Sequence, residues 1–218
     1  VLFALRQPGT LLGLVLAYLL GSFLQVVAQR FVISGRRGLR GVTAAHQWLD
    51  PYGAVAALLG GIGWAPRQEL DRRRPNLALL LVVVAVAVEA VLAALGILGF
   101  RLAGAPLSVL GYASTIDVVH GHQILTQAFF QRVALGFAVE SMACGLLCLV
   151  PVPPLALGVW LWSVLPKTPG ARRVSYHLLE EHWGIAVLLI LLLVPLAGQE
   201  PVLLDIAGAI VDPILHAI

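Results

Sequence analysis

Residues 76 to 100, "NLALLLVVVAVAVEAVLAALGILGF", run for 25 positions with one charged side chain. A backbone buried in lipid must satisfy its own hydrogen bonds, and as helix about 20 such residues cross the roughly 30 Å of hydrocarbon in a bilayer. Residues 10 to 33 and 126 to 149 are of the same kind, and 182 to 198 reads as a further span. None alternates as a membrane β-strand does. With 60% hydrophobic and 11% charged residues, the chain lies outside the profile of a soluble domain. The expectation is an all-α polytopic membrane protein of about four to six membrane segments, forming a single integral membrane domain over residues 1–218.

Shorter pieces fill the intervals. Residues 51 to 64, "PYGAVAALLGGIGW", are too short and glycine-rich for a crossing and read as a re-entrant or hairpin element. The stretch 102 to 125, with "DVVHGHQ", is mixed and is expected at or outside the membrane surface. Pro151, Pro153 and Pro154 break the third span, because proline lacks the amide donor and fixes φ. Residues 155 to 165 then make a short apolar helix. The tail from about 200 carries Asp205 and Asp212, seven apart and so on one helical face, with Leu203, Ile206, Ile210 and Ile214 around it. It reads as an interfacial helix able to dock on a neighbour. The first apolar segment has no A-x-A-like site, so no cleavable leader is expected.

Charge gives an orientation. Arg30, Arg36, Arg37, Arg40, Arg67, Arg72, Arg73, Arg74, Lys167, Arg172 and Arg173 fall in loops that one topology places on the same side, whereas Arg6, Arg101 and Arg132 do not. Positive-inside bias puts that side in the cytoplasm. The predominance of arginine over lysine suggests a prokaryotic source, hence the cytoplasmic (inner) membrane. These arginines are the ordinary loop bias of a membrane protein and give no support to nucleic-acid binding.

Several polar residues stand out. Gln25 and Gln29 lie one helical turn apart within "LLGSFLQVVAQRF". Glu89 and Glu140 sit near the middle of spans, where a bare charge costs at least about 2.5 kcal/mol. They must be protonated or face protein, water or each other, with Gln25 and Gln29 as available donors; alternatively they line a proton or solute pathway. Cys144 and Cys148 are four apart in an apolar run and read as small packers rather than a disulfide. His120 and His122 form a sparse pair in a loop. His46 and Asp50 are spaced to meet on a helix, most simply as a surface hydrogen bond.

Several stretches of the chain resemble a known family. "WLDPYG", then "GIGWAPRQELDRRRPNLALLLVVVAVAVEAVL", "LLCLVPVPPLALGVWLWSVLP" and "YHLLEEHWGIAVLLILLL" are similar, in order and spacing, to segments of the bacterial site-2 proteases, which are intramembrane zinc metalloproteases. The likeness covers about residues 19 to 195. It implies a site-2-protease-like helical bundle, with Asp50, Pro51, Gly53, Gly63, Trp64, Pro151, Pro153 and Pro154 as retained motif positions; Asp-Pro-x-Gly is also a turn formula in its own right, with Pro51 fixing φ and Gly53 tolerating positive φ. It also implies a first span bearing His-Glu-x-x-His, two zinc ligands and a base. Here Gln25 and Gln29 take the histidine places and Val26 that of the glutamate. Ala156 stands at the aspartate of Pro-Pro-Leu-Asp-Gly and Leu157 at its glycine. Cys148, Trp48 and Glu89 replace an asparagine, a histidine and a second asparagine. The resemblance therefore implies a relative without zinc or other cofactor, not an enzyme, serving as an accessory subunit that packs against partner transmembrane helices and lipid. Two alternatives are a protease with displaced ligands from His46, Asp50 and Glu89, and a conducting protein using Glu89 and Glu140.

Overall fold

The computed structural model describes residues 2–35, 45–66, 75–121, 128–165, 168–179, 183–195 and 200–218. The loops bearing Arg36, Arg37, Arg40, Arg67, Arg72, Arg73, Arg74 and Lys167, together with His122 and His182, lie outside the described residues. Among the described residues the chain is all-α, with no strand. The helices are α1 (Pro8–Ser34), α2 (Pro51–Gly60), α3 (Pro75–Leu102), α4 (Thr115–His120), α5 (Phe129–Leu147), α6 (Ala156–Val164), α7 (Pro169–Leu179), α8 (Trp183–Leu193) and α9 (Val202–His216).

Three of them, α1, α3 and α5, are long and apolar enough to cross a membrane. At 1.5 Å per residue they reach about 40, 42 and 28 Å. Their outward residues are apolar too: Leu80, Val83, Val91, Leu95 and Leu98 are all exposed on α3. A helix apolar on every side belongs in lipid or in a large core. The span expected over 182 to 198 is shorter in the structure. Helix α8 covers 11 residues, about 16 Å, and ends at Leu193, two before Pro195, because the residue preceding a proline is pushed out of the α region.

The three long helices meet through small residues. On α1, Gly9, Gly13, Ala17 and Gly21 recur every four residues and all are buried. A Cβ on Gly9 would lie 2.9 Å from the Phe129 carbonyl oxygen, and one on Gly13 would lie 2.9 Å from the Phe137 nitrogen, both on α5. In return, a Cβ on Gly136 of α5 would lie 2.8 Å from the Thr10 carbonyl oxygen. Gly96 of α3 abuts Ala138 in the same manner. These pairings run α1 and α5 parallel, with α3 antiparallel to both. In lipid no hydrophobic drive pushes helices together, so close backbone approach at small residues supplies the dispersion contact.

At one end of the bundle, Gly61 takes a left-handed conformation (φ 86°) that ends α2 and lets residues 62–66 double back along it. Gly53 is pressed against Trp64, and a Cβ on Gly63 would lie 2.8 Å from that of Ala57. The 51 to 64 element is thus a helix with an extended return. Asp-Pro-x-Gly proves to be a helix start and not a turn. Asp50 Oδ1 accepts from the Tyr52 and Gly53 amides at 2.8 and 3.1 Å, and Pro51 occupies the first helical turn. Gly53 is there for the close contact with Trp64, its φ being helical. His46 lies in a separate 3-10 turn (Ala45–Gln47), so it shares no helix with Asp50.

The opposite end is covered by the 3-10 turns Leu2–Arg6 and Leu107–Tyr112 with α4 and α9. The tail helix folds onto its own chain: Leu203, Leu204, Ala207, Gly208, Val211 and Leu215 are buried. Asp212 Oδ1 accepts from the amide and hydroxyl of Thr115 at 2.8 and 2.6 Å, capping α4 from 97 residues away. Asp205 is exposed, so the two acids do not act together. His216 Nε2 lies 3.2 Å from the Ala113 carbonyl oxygen.

Gly13→Leu should lower stability by about 1–3 kcal/mol or more, by forcing α1 off α5. Gly111→Ala, which meets nothing within 4 Å, should leave it unchanged; thermal unfolding in detergent reads both.

Candidate functional site

The four-residue ladder on α1 continues as Gln25 and Gln29, both buried. Gln25 Nε2 donates to Glu89 Oε1 of α3 at 2.6 Å. Two glycines make room for the glutamate. A Cβ on Gly21 would lie 2.5 Å from Glu89 Oε1, and one on Gly145 of α5 would lie 3.2 Å from Glu89 Cβ. The carboxyl is therefore clasped between α1 and α5 at 2% exposure, with Oε2 left unpartnered among the described residues. Glu140, on α5, is fully buried; its Oε1 lies 3.4 Å from Cys144 Sγ and its Oε2 has no partner. Among the described residues neither carboxyl makes an ion pair.

The cysteines belong to this polar interior and are more than packers. Cys144 Sγ also lies 3.5 Å from the Gly63 carbonyl oxygen, and Cys148 Sγ is 4.0 Å from Gln25 Oε1. Tyr18, one turn before Ser22 on α1, donates from its hydroxyl to the Trp64 carbonyl oxygen at 3.4 Å. The return segment 62–66 is thereby stitched to α1 and α5. Sequence reasoning missed Tyr18 and Ser22. Their signal was a second four-residue row, Thr10, Leu14, Tyr18, Ser22 and Val26, all buried beside the first. Val26 is 0% exposed and packs as an ordinary apolar side chain.

Beyond Gln25 lies a cavity of about 50 Å³ whose lining includes Gln25, Gln29, Cys148, Pro154, Ala156 and Trp64. Residues 148–156 bring Ala156 there: α5 ends at Leu147, the chain turns through Pro151, Pro153 and Pro154, and α6 restarts at Ala156 against α3. The Leu157 amide donates back to the Cys148 carbonyl oxygen at 3.0 Å, and Gly158 is pressed against Val152 and Pro153. Gln29 makes no hydrogen bond among the described residues and faces the cavity, and the Trp64 indole nitrogen is buried without an acceptor.

The three positions that the family resemblance assigns to zinc ligands thus surround one space. Their side chains do not fit zinc. Two carboxamides are poor ligands for it, alanine offers no donor atom, and Val26 cannot take a proton. Among the described residues no three His, Cys, Asp or Glu are grouped to hold a metal. His46, Asp50 and Glu89 form no such group: Asp50 caps α2, and Glu89 is engaged by Gln25. Trp48, at the subgroup's histidine, packs edge-on against Phe23 with ring centres 5.7 Å apart. His120 lies 3.8 Å from Glu200, near the far end of the bundle.

The fold and this convergence define a class, an all-α membrane protein similar to the site-2 proteases. Comparison with known proteins points the same way. The chain is 28% identical over 180 residues to a protein of Bacillus subtilis (strain 168) described as "Putative zinc metalloprotease YwhC", covering 77% of this chain and 75% of that one. No family model matches the chain, and no solved structure matches it.

A double-mutant cycle on Gln25→Ala and Glu89→Ala should return a coupling of roughly 1 kcal/mol, as expected of interhelical hydrogen bonds in membranes. Independent, additive effects on unfolding would mean that the 2.6 Å contact contributes nothing.

Proposed function

We propose that this chain is a catalytically inactive member of the site-2-protease-like class that works as an accessory subunit, packing against transmembrane helices of partner proteins and lipid in a prokaryotic inner membrane. The observation that carries this reading is the convergence of Gln25, Gln29 and Ala156 on one cavity. A zinc hydrolase needs three ligands and an open position there, and this chain supplies amides and a methyl group. The chain acts as one membrane domain with its basic loops in the cytoplasm. The interior that once served chemistry is retained to hold the helices: Gln25 joins α1 to α3 through Glu89, and Asp50 fixes the start of α2.

An apolar groove between α1 and α3, lined by residues such as Leu24, Val27, Phe31, Val84, Val88 and Val91, offers a surface for helix or lipid packing. Losing a metal site does not alter such a surface.

Two experiments test the reading. Gentle solubilisation of the native membrane should recover the chain in fixed ratio with other membrane subunits and with zinc well below one per chain; a chain that sediments alone, or carries equimolar zinc, argues against it. The combined variant Gln25→His, Val26→Glu, Gln29→His and Ala156→Asp should bind about one zinc per chain. Failure of the folded variant to do so would mean that the cavity is not the counterpart of the family's metal site.

A further inference from the structure

Next to the cavity around Ala156 lies a second one of about 10 Å³, with Tyr18, Ser22, Gln25, Gly63, Trp64 and Glu89 in its lining. That volume is roughly one water-sized particle. Among the described residues, those that line it carry several oxygen atoms in need of a partner. Glu89 Oε2 has none. The Gly63 and Trp64 carbonyl oxygens meet only a thiol at 3.5 Å and a phenol at 3.4 Å, both at the limit of a hydrogen bond. Gln25 Oε1 has only a thiol at 4.0 Å, since its amide nitrogen is committed to Glu89 Oε1.

Residues 62–66 add the second element. Non-helical backbone within a membrane protein persists where it is buried in protein or lines a cavity, and freed carbonyls of that kind coordinate small cations in transporters. Ile62, Gly63 and Trp64 are buried and non-helical, and Gly63 and Trp64 line the cavity together with Glu89. A single water can donate two hydrogen bonds. A cation engages several oxygens at once and neutralises the carboxylate in a medium where charge is costly.

We propose that this inner cavity is a site for a small monovalent cation of sodium's size, bound by the Glu89 carboxylate with the Gln25 side-chain oxygen and the backbone of Gly63 and Trp64. The site adjoins the space around Gln29 and Ala156, sharing Gln25, Trp64 and Cys148 with it, but Glu89 lines only this cavity, and the site does not depend on whether partner helices dock elsewhere. The cation ties α1, α3 and the 62–66 return together at a point where protein side chains leave the carboxylate half-satisfied.

The test uses the intact chain purified in detergent at pH 8, in sodium chloride or in N-methyl-D-glucamine chloride of equal ionic strength. Equilibrium dialysis with radioactive sodium should show one saturable equivalent per chain, absent in Glu89→Gln and kept in Asp212→Asn at the other end of the bundle. Absence of saturable binding to the unmodified chain overturns the proposal and leaves a water at most; binding that survives in folded Glu89→Gln also overturns it. Because that variant can fail to fold, labelling of the unmodified chain decides independently. Cys144 and Cys148 line the same cavity, so sodium should slow their alkylation by N-ethylmaleimide relative to N-methyl-D-glucamine. Equal rates overturn the proposal.

Discussion

A carboxyl group inside an apolar bundle must be given a partner before the helices around it can close. In this protein that partner is Gln25, whose amide reaches Glu89 at 2.6 Å. The rest of the interior is arranged to permit the contact. Gly21 and Gly145 lack the Cβ atoms that would occupy the carboxyl's place, and the ladder Gly9, Gly13 and Ala17 sets α1 close enough to α5 for the slot to exist. A polar contact of about 1 kcal/mol does not hold such a bundle together by itself. It fixes which faces of α1 and α3 meet, since any other rotation leaves an amide and a carboxyl in hydrocarbon, where each unsatisfied group costs several kcal/mol.

The hairpin of α2 and its return depends on the same interior. Residues 62–66 contribute carbonyls with no helix to satisfy them, and Tyr18 and Cys144 come from α1 and α5 to meet them. Asp50 fixes the other limb by capping α2, and Gly53 admits Trp64 against it. These residues therefore have an architectural role of their own in the hairpin. Asp50, Pro51, Gly53 and Gly63 build a hairpin that sets Trp64 against the cavity of Gln25 and Ala156.

At the far end, Asp212 reaches across 97 residues to the first amide of α4, and the buried face of α9 closes over the bundle. An apolar tail with two acids suggests an interfacial helix awaiting a neighbour. The chain itself takes the inner face. What remains outside is a row of isoleucines, Ile206, Ile210 and Ile214, each exposed and four residues apart.

The sequence by itself determined the class of structure, because hydrocarbon admits only helices or closed barrels and runs such as 76–100 have the length and composition of one. It also determined where α1, α3 and α5 lie, and that Pro151, Pro153 and Pro154 end α5. It placed glutamine at 25 and 29 and alanine at 156, and carboxamides are poor zinc ligands while a methyl group is none. It overstated α8 and read Asp50 to Gly53 as a turn, because a helix cap and a turn use the same residue types and differ only in whether the chain continues as helix beyond them. Only the tertiary structure decided that Gln25, Cys148 and Ala156 share a cavity, that Cys144 belongs to the polar interior, and that Asp212 caps α4. Those facts rest on contacts between positions tens of residues apart, for which local periodicity carries no signal. Those around Gln25 and Cys144 arise from the close crossings at glycine, which bring helices and their polar atoms within hydrogen-bonding reach.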